Sequence, residues 1–112
     1  MSRQARVDKQ RLSAYVPHTS MIRGFKHRGL KRLYENGDRR RLRPDMVTRI
    51  EDILSILDAA TTPRALDLPR YRLHPLKGDR QDLWAVTVRA NWRIVFAFRG
   101  GDAYDVDLID YH

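Results

Sequence analysis

The chain has 112 residues, 42% apolar and 32% charged, with a formal net charge of +8 and a pI near 10.4. That size supports a single domain with a modest core. No apolar run approaches the roughly 20 residues that span a bilayer, and a chain without cysteine has no disulfide, thiolate nucleophile or cysteine-bound zinc. A domain this basic favours an anionic partner, nucleic acid above all. The charge is unevenly spread. Met21 to Pro44 carries nine Lys or Arg against Glu35 and Asp38, whereas Gly101 to His112 carries Asp102, Asp105, Asp107 and Asp110 with no Lys or Arg.

Residues 1–20 are polar and lack a sustained period; they read as a leader or extension, and residues 21–112 as a single domain. Arg3, Arg6, Lys9 and Arg11 are not followed by an apolar stretch, so no secretory signal is read there and a cytoplasmic location is expected. Met21 to Phe25 alternates like a short strand. Leu30 and Leu33-Tyr34 then fall at helical spacing, and Asn36-Gly37 stops that helix. The run Asp38-Arg39-Arg40-Arg41 reads as a solvated loop. A second helix begins near Pro44, with Asp45 favoured in its first turn. Val47, Ile50, Ile53, Leu54 and Leu57 make its apolar stripe, and Arg49, Glu51, Asp52 and Asp58 lie off it.

Thr61-Thr62-Pro63 resembles a cap followed by one helical turn to Leu66, and Pro69 breaks the chain. From Tyr71 the period becomes two. Tyr71 and Leu73 alternate before Pro75; Trp84, Val86 and Val88 share one face; Trp92, Ile94, Phe96 and Phe98 share another. Arg99-Gly100-Gly101-Asp102 signals a tight hairpin, after which Tyr104, Val106 and Leu108 alternate with Asp105 and Asp107. The expected class is α+β in the order β-α-α-β-β-β, two helices packed on a small, mainly antiparallel sheet.

If those strands form one sheet, His74, Lys77, Arg93, Tyr111 and His112 converge on one patch. Two imidazoles, an ammonium, a guanidinium and a phenol, without an acidic pair or metal-ligand spacing, suit a phosphodiester. Cations hold the phosphate while imidazole or phenol moves protons. Each residue also has a plainer reading. His74 before Pro75 fits a surface loop, Arg93 a salt bridge to Asp105 or Asp107, Trp84 and Trp92 the core, and Tyr111-His112 a frayed end.

Four blocks carry a family resemblance: Ile22 to Leu30, Arg72-Leu-His-Pro-Leu-Lys-Gly78, Asn91-Trp-Arg-Ile-Val-Phe96, and Asp105 to His112. In order and at compatible spacing, over residues 21–112, they resemble the HigB branch of the RelE/ParE toxin superfamily, toxins of bacterial toxin–antitoxin pairs. The resemblance implies a ribosome-dependent endoribonuclease that enters the A site and cuts the mRNA codon there, with no metal or other cofactor. It implies catalytic roles for His74, Lys77, Arg93, Tyr111 and His112, supported by Arg72, Arg89, Asn91 and Asp110. The implied partners are the ribosome with its rRNA, mRNA, and a cognate helix-turn-helix antitoxin through which operator DNA is mostly contacted; no membrane is involved. Many relatives carry a second Arg on the strand before the Asn-Trp-Arg block. This chain has Thr87 there and Arg89 two residues on, and Arg89 is one candidate to replace that cation. Two other classes fit the same fold or charge, a ParE-like gyrase inhibitor without nuclease activity and a non-catalytic basic RNA-binding module.

Overall fold

Val47, Ile50, Ile53, Leu54 and Leu57, the stripe read from the sequence, are all buried, and Ile50, Ile53 and Leu57 are wholly inaccessible. They lie on a helix of Pro44–Ala59 (α2), in a computed structural model that describes residues 21–78 and 82–111. The expected leader, residues 1–20, and the terminal His112 lie outside the described residues. A shorter helix, Arg28–Asn36 (α1), precedes α2, and a 3-10 turn at Pro63–Leu66 follows it. Strands His74–Pro75 (β1), Leu83–Arg89 (β2), Trp92–Arg99 (β3) and Asp102–Asp110 (β4) form a four-stranded antiparallel sheet in the order β1-β2-β3-β4.

Local chemistry explains where these elements start and stop. His27 Nδ1 accepts the Leu30 amide at 3.2 Å and caps α1. Gly37, at φ +71, ends that helix in the left-handed region, where its amide reaches Leu33 O at 2.9 Å. Pro44 opens α2 at a position where a missing N–H costs nothing. Thr62 Oγ1 accepts the Arg64 amide at 3.1 Å and caps the 3-10 turn, which buries Leu66. The Gly100-Gly101 turn has φ +56 and +85 and sets Arg99 opposite Asp102, as a two-residue hairpin requires.

Both helices pack on one sheet face. Leu30, Leu33, Met46, Ile50 and Ile53 share a core cluster with Val86, Val88, Ile94, Phe96, Val106 and Leu108. Trp84 and Trp92 are half-buried against that cluster, so both indoles serve packing. Tyr34 donates its hydroxyl proton to Asp58 and ties α1 to α2. In the Asp38–Arg41 loop Asp38 pairs with Arg40: its carboxyl pKa is held at about 2, first by the Arg40 side-chain hydrogen bond and then by the Arg40 amide.

Two expected strands are shorter than their patterns. Met21 to Phe25 runs parallel to β4 but bridges it only at Ile22↔Ala103 and Phe25↔Val106. Between them β4 bulges at Asp105, which has φ +55 and interrupts the ladder. Tyr71 and Leu73 alternate without forming a strand, because Arg72 at φ +50 turns the chain and leaves only His74–Pro75 paired.

Two outcomes follow. Ile50→Ala, which empties a wholly buried site, is expected to lower unfolding free energy by about 2–5 kcal/mol in urea titrations. Gly29→Ala tests the cap, because a Cβ at Gly29 would lie 2.9 Å from His27 Cε1 and 3.2 Å from Arg41 Cβ. Alanine usually improves a helix interior by about 0.5–1 kcal/mol; here the melting temperature should fall, since the ring must leave the Leu30 amide.

Candidate active site

Register decides which residues share the helix-free face. Across a ladder, directly paired residues project to the same side, and alternate residues along a strand do likewise. Val86 and Val88 face the helices, so Ala85 and Thr87 face away. Thr87 pairs with Arg93, and Arg93 with Ile109. Ala85 pairs with His74 on one side and Val95 on the other, and Val95 with Asp107. His74 and Arg93 therefore stand on the same face, separated diagonally by β2. Two strand spacings and one two-residue step put their Cα atoms roughly 12 Å apart, a gap that an imidazole and a guanidinium can close from either side of a bound group. Ala85, Val95 and Ala97 are buried between longer neighbours and form a low apolar floor.

His74 is held by a local irregularity. Its register with Ala85 would set Arg72 opposite Thr87, yet the Thr87 amide donates to Tyr71 O at 2.7 Å. Arg72 is thus displaced from the ladder, in the left-handed conformation, and its carbonyl lies 2.8 Å from His74 Nδ1. A carbonyl only accepts, so Nδ1 carries the proton and the neutral ring has Nε2 as its basic nitrogen. His74 is exposed. Lys77 is also exposed, three residues further along the same segment, about 10 Å of chain at strand rise.

Arg93 has its guanidinium folded onto the β2–β3 turn, where Nη1 donates to Ala90 O at 2.6 Å and Trp92 O at 3.3 Å. Its partner on β4 is Ile109, and it makes no ion pair with Asp105, Asp107 or any other carboxylate among the described residues. Nε and Nη2 are left to an incoming anion. Tyr111 follows β4 and is 46% exposed. Its amide donates to Asn91 O at 2.9 Å, so the chain is tied to the turn at this point. Alternation puts Tyr111 on the Ile109 side, a diagonal neighbour of Arg93 at about 7–8 Å. Asn91 is exposed at the turn, and Asp110 pairs with Trp92. The expected role of His112 lies outside the described residues.

Arg89 does not join this face. The register slips between Thr87 and Arg89, which pairs with Trp92. That bulge turns the guanidinium toward α2, where Nε meets Asp45 Oδ2 at 3.1 Å. Asp45 also takes Arg43 at 3.0 Å. Position 87 on the helix-free face therefore carries a hydroxyl and no cation substitutes for it from Arg89. The bulge and the Arg72 displacement depend on non-glycine residues adopting irregular geometry, for which the sequence offers no marker.

Among the described residues no cluster of three His, Asp or Glu side chains is arranged to hold a metal, and no helix is long and apolar enough to cross a membrane. The grouped chemistry is one imidazole with a fixed tautomer, a guanidinium with open donors and a phenol beside it; Lys77 is exposed three residues beyond the imidazole. The family described as the RelE-like toxin HigB of type II toxin–antitoxin systems matches residues 23–112. A protein of Proteus vulgaris named Endoribonuclease HigB is 51% identical over 92 residues, 82% of this chain and 100% of the relative. A match across nearly the whole described domain, on the fold that brings these residues together, shows that the chain belongs to the HigB family of RelE-like toxins from type II toxin–antitoxin systems.

Proposed function

We propose that this chain is the endoribonuclease toxin of a toxin–antitoxin pair, and that it cuts mRNA in the A site of a translating ribosome. The observation that carries the reading is the shared face of His74 and Arg93, one with its basic nitrogen directed by a backbone carbonyl and the other without a carboxylate partner among the described residues. The Proteus vulgaris relative, named as an endoribonuclease, supports the nuclease part of it.

In this scheme the 2′-oxygen of the substrate attacks the adjacent phosphorus, and the bond from phosphorus to the 5′-oxygen breaks. The products are a 2′,3′-cyclic phosphate and a 5′-hydroxyl. One proton leaves the 2′-hydroxyl and one reaches the departing oxygen. His74 moves a proton at Nε2. Tyr111, at the other end of the site, serves the second transfer, a role shared with His112. Arg93 leaves the turn carbonyls for the non-bridging oxygens, which a planar guanidinium can bind in parallel. Lys77 adds positive charge at the flank, Arg72 supplies the carbonyl that orients His74, and Asn91 and Asp110 hold the turn and the end of β4. No step calls for a metal ion.

The remaining assignments follow from that activity. The toxin works in the cytoplasm, its basic surface meets ribosomal RNA, and a helix-turn-helix antitoxin holds it inactive and makes most of the operator contacts. Unbalanced positive charge of this kind binds RNA phosphates in a salt-sensitive way.

In a translating extract, wild-type protein should generate new mRNA 5′ ends that vanish when ribosomes are removed. His74→Ala and Arg93→Ala should each slow their appearance by about 10² or more. Unchanged cleavage in both variants would remove this site, and growth arrest without mRNA ends would favour a gyrase-type poison. A second measurement addresses the nucleophile: an mRNA with a 2′-deoxynucleotide at the cut position should stay intact, since only the 2′-hydroxyl can form the cyclic product.

A further inference from the structure

Thr87 stands at the centre of the helix-free face. It is paired directly with Arg93 on one side and is a diagonal neighbour of His74 across β1, at about 7–8 Å. Its amide points away from β3 to the segment before β1, where it meets Tyr71 O, so the Thr87–Arg93 pair is of the non-hydrogen-bonded kind. That geometry brings the two Cα atoms to about 4.5 Å and the side chains closer than in the alternate pairs. The Thr87 hydroxyl is buried and has no hydrogen-bond partner among the described residues. It is not satisfied by Arg93, whose bonds go to Ala90 and Trp92. An unpaired buried hydroxyl lowers stability, and valine would fill the same space without that cost. The group is therefore unexplained by the fold alone.

We propose that Thr87 is a further substrate-contacting residue, whose hydroxyl donates a hydrogen bond to a non-bridging oxygen of the phosphate that Arg93 grips. This deepens, and rests on, the reading of the face as an RNA-cleaving site. When Arg93 leaves the turn carbonyls for the phosphate, the anion comes to lie over position 87. The hydroxyl, with one proton to give, then gains an acceptor whose negative charge grows as the 2′-oxygen adds to phosphorus. A donor aimed at developing charge in a site of low dielectric acts mainly on the chemical step.

The test compares wild type, Thr87→Val, Thr87→Ser and Arg93→Ala, each measured for thermal melting and for the initial rate of mRNA cleavage in a translating extract. Thr87→Val should melt at or above the wild-type temperature, because the orphaned hydroxyl is gone, and should cleave about tenfold or more slowly. Thr87→Ser should retain most of the rate. If Thr87→Val melts below the assay temperature, Thr87→Ala takes its place in the same comparison. Wild-type cleavage by Thr87→Val, with activity lost in Arg93→Ala, overturns the role of Thr87 and leaves the site standing. A serine variant as slow as valine also overturns it, since the effect would then belong to the methyl group. Unchanged cleavage in Arg93→Ala as well would overturn the site itself.

Discussion

The register between β2 and β3 is the constraint on which the site depends. A strand has a side-chain period of two, so a slip of one residue between them would turn one strand over, sending either Thr87 or Arg93 into the helices and bringing Val86 or Ile94 to the surface. Burial of Val86, Val88, Ile94 and Phe96 against α2 makes that slip costly. The chemistry is thus aligned by apolar residues on the opposite side of the sheet, which take no part in it. The same core also keeps β4 in place, and with it the amide of Tyr111 against Asn91 O.

Departures from regular strands give the site its particular arrangement. The displaced Arg72 releases one carbonyl from the ladder and lends it to His74. The slip after Thr87 turns Arg89 to Asp45, so cations on consecutive odd positions of β2 and β3 do not accumulate on one face. The bulge at Asp105 ends the pairing of β4 with the Met21–Phe25 segment between its two bridges. Bulges re-aim side chains and concentrate beside functional sites; here three irregular non-glycine positions, Arg72, Ala90 and Asp105, all lie on or next to the strands that carry the candidate groups.

The charge of the molecule divides into neutralised and open parts. Arg23, Arg39, Arg40, Arg43, Arg64, Arg89 and Arg99 each have a carboxylate partner. Most of these pairs are exposed and add little to stability; their effect is to remove those cations from the surface field. Arg93 and Lys77 are not in that set, and neither meets a carboxylate among the described residues. Arg93 is thus left to meet an anion on the helix-free face, although the raw charge of the chain is greatest around α1 and the Asp38–Arg43 loop.

The amino-acid order by itself determined the elements whose signals are local. The stripe of α2, the Gly37 stop, the proline-led turn at Pro63 and the Gly100-Gly101 hairpin depend on neighbours within a few residues, and each appears where the pattern put it. The α+β class and the residues worth watching were legible for the same reason, as was the family through its motif blocks. Tertiary structure alone decided which of those residues share a face. Arg89 and Arg93 look equivalent along the chain, yet one meets a helix carboxylate and the other an open surface, because cross-strand register and bulges depend on pairing between distant segments. The proton position on His74 and the orphaned hydroxyl of Thr87 belong to the same category: each depends on a partner, present or missing, that only the folded sheet supplies.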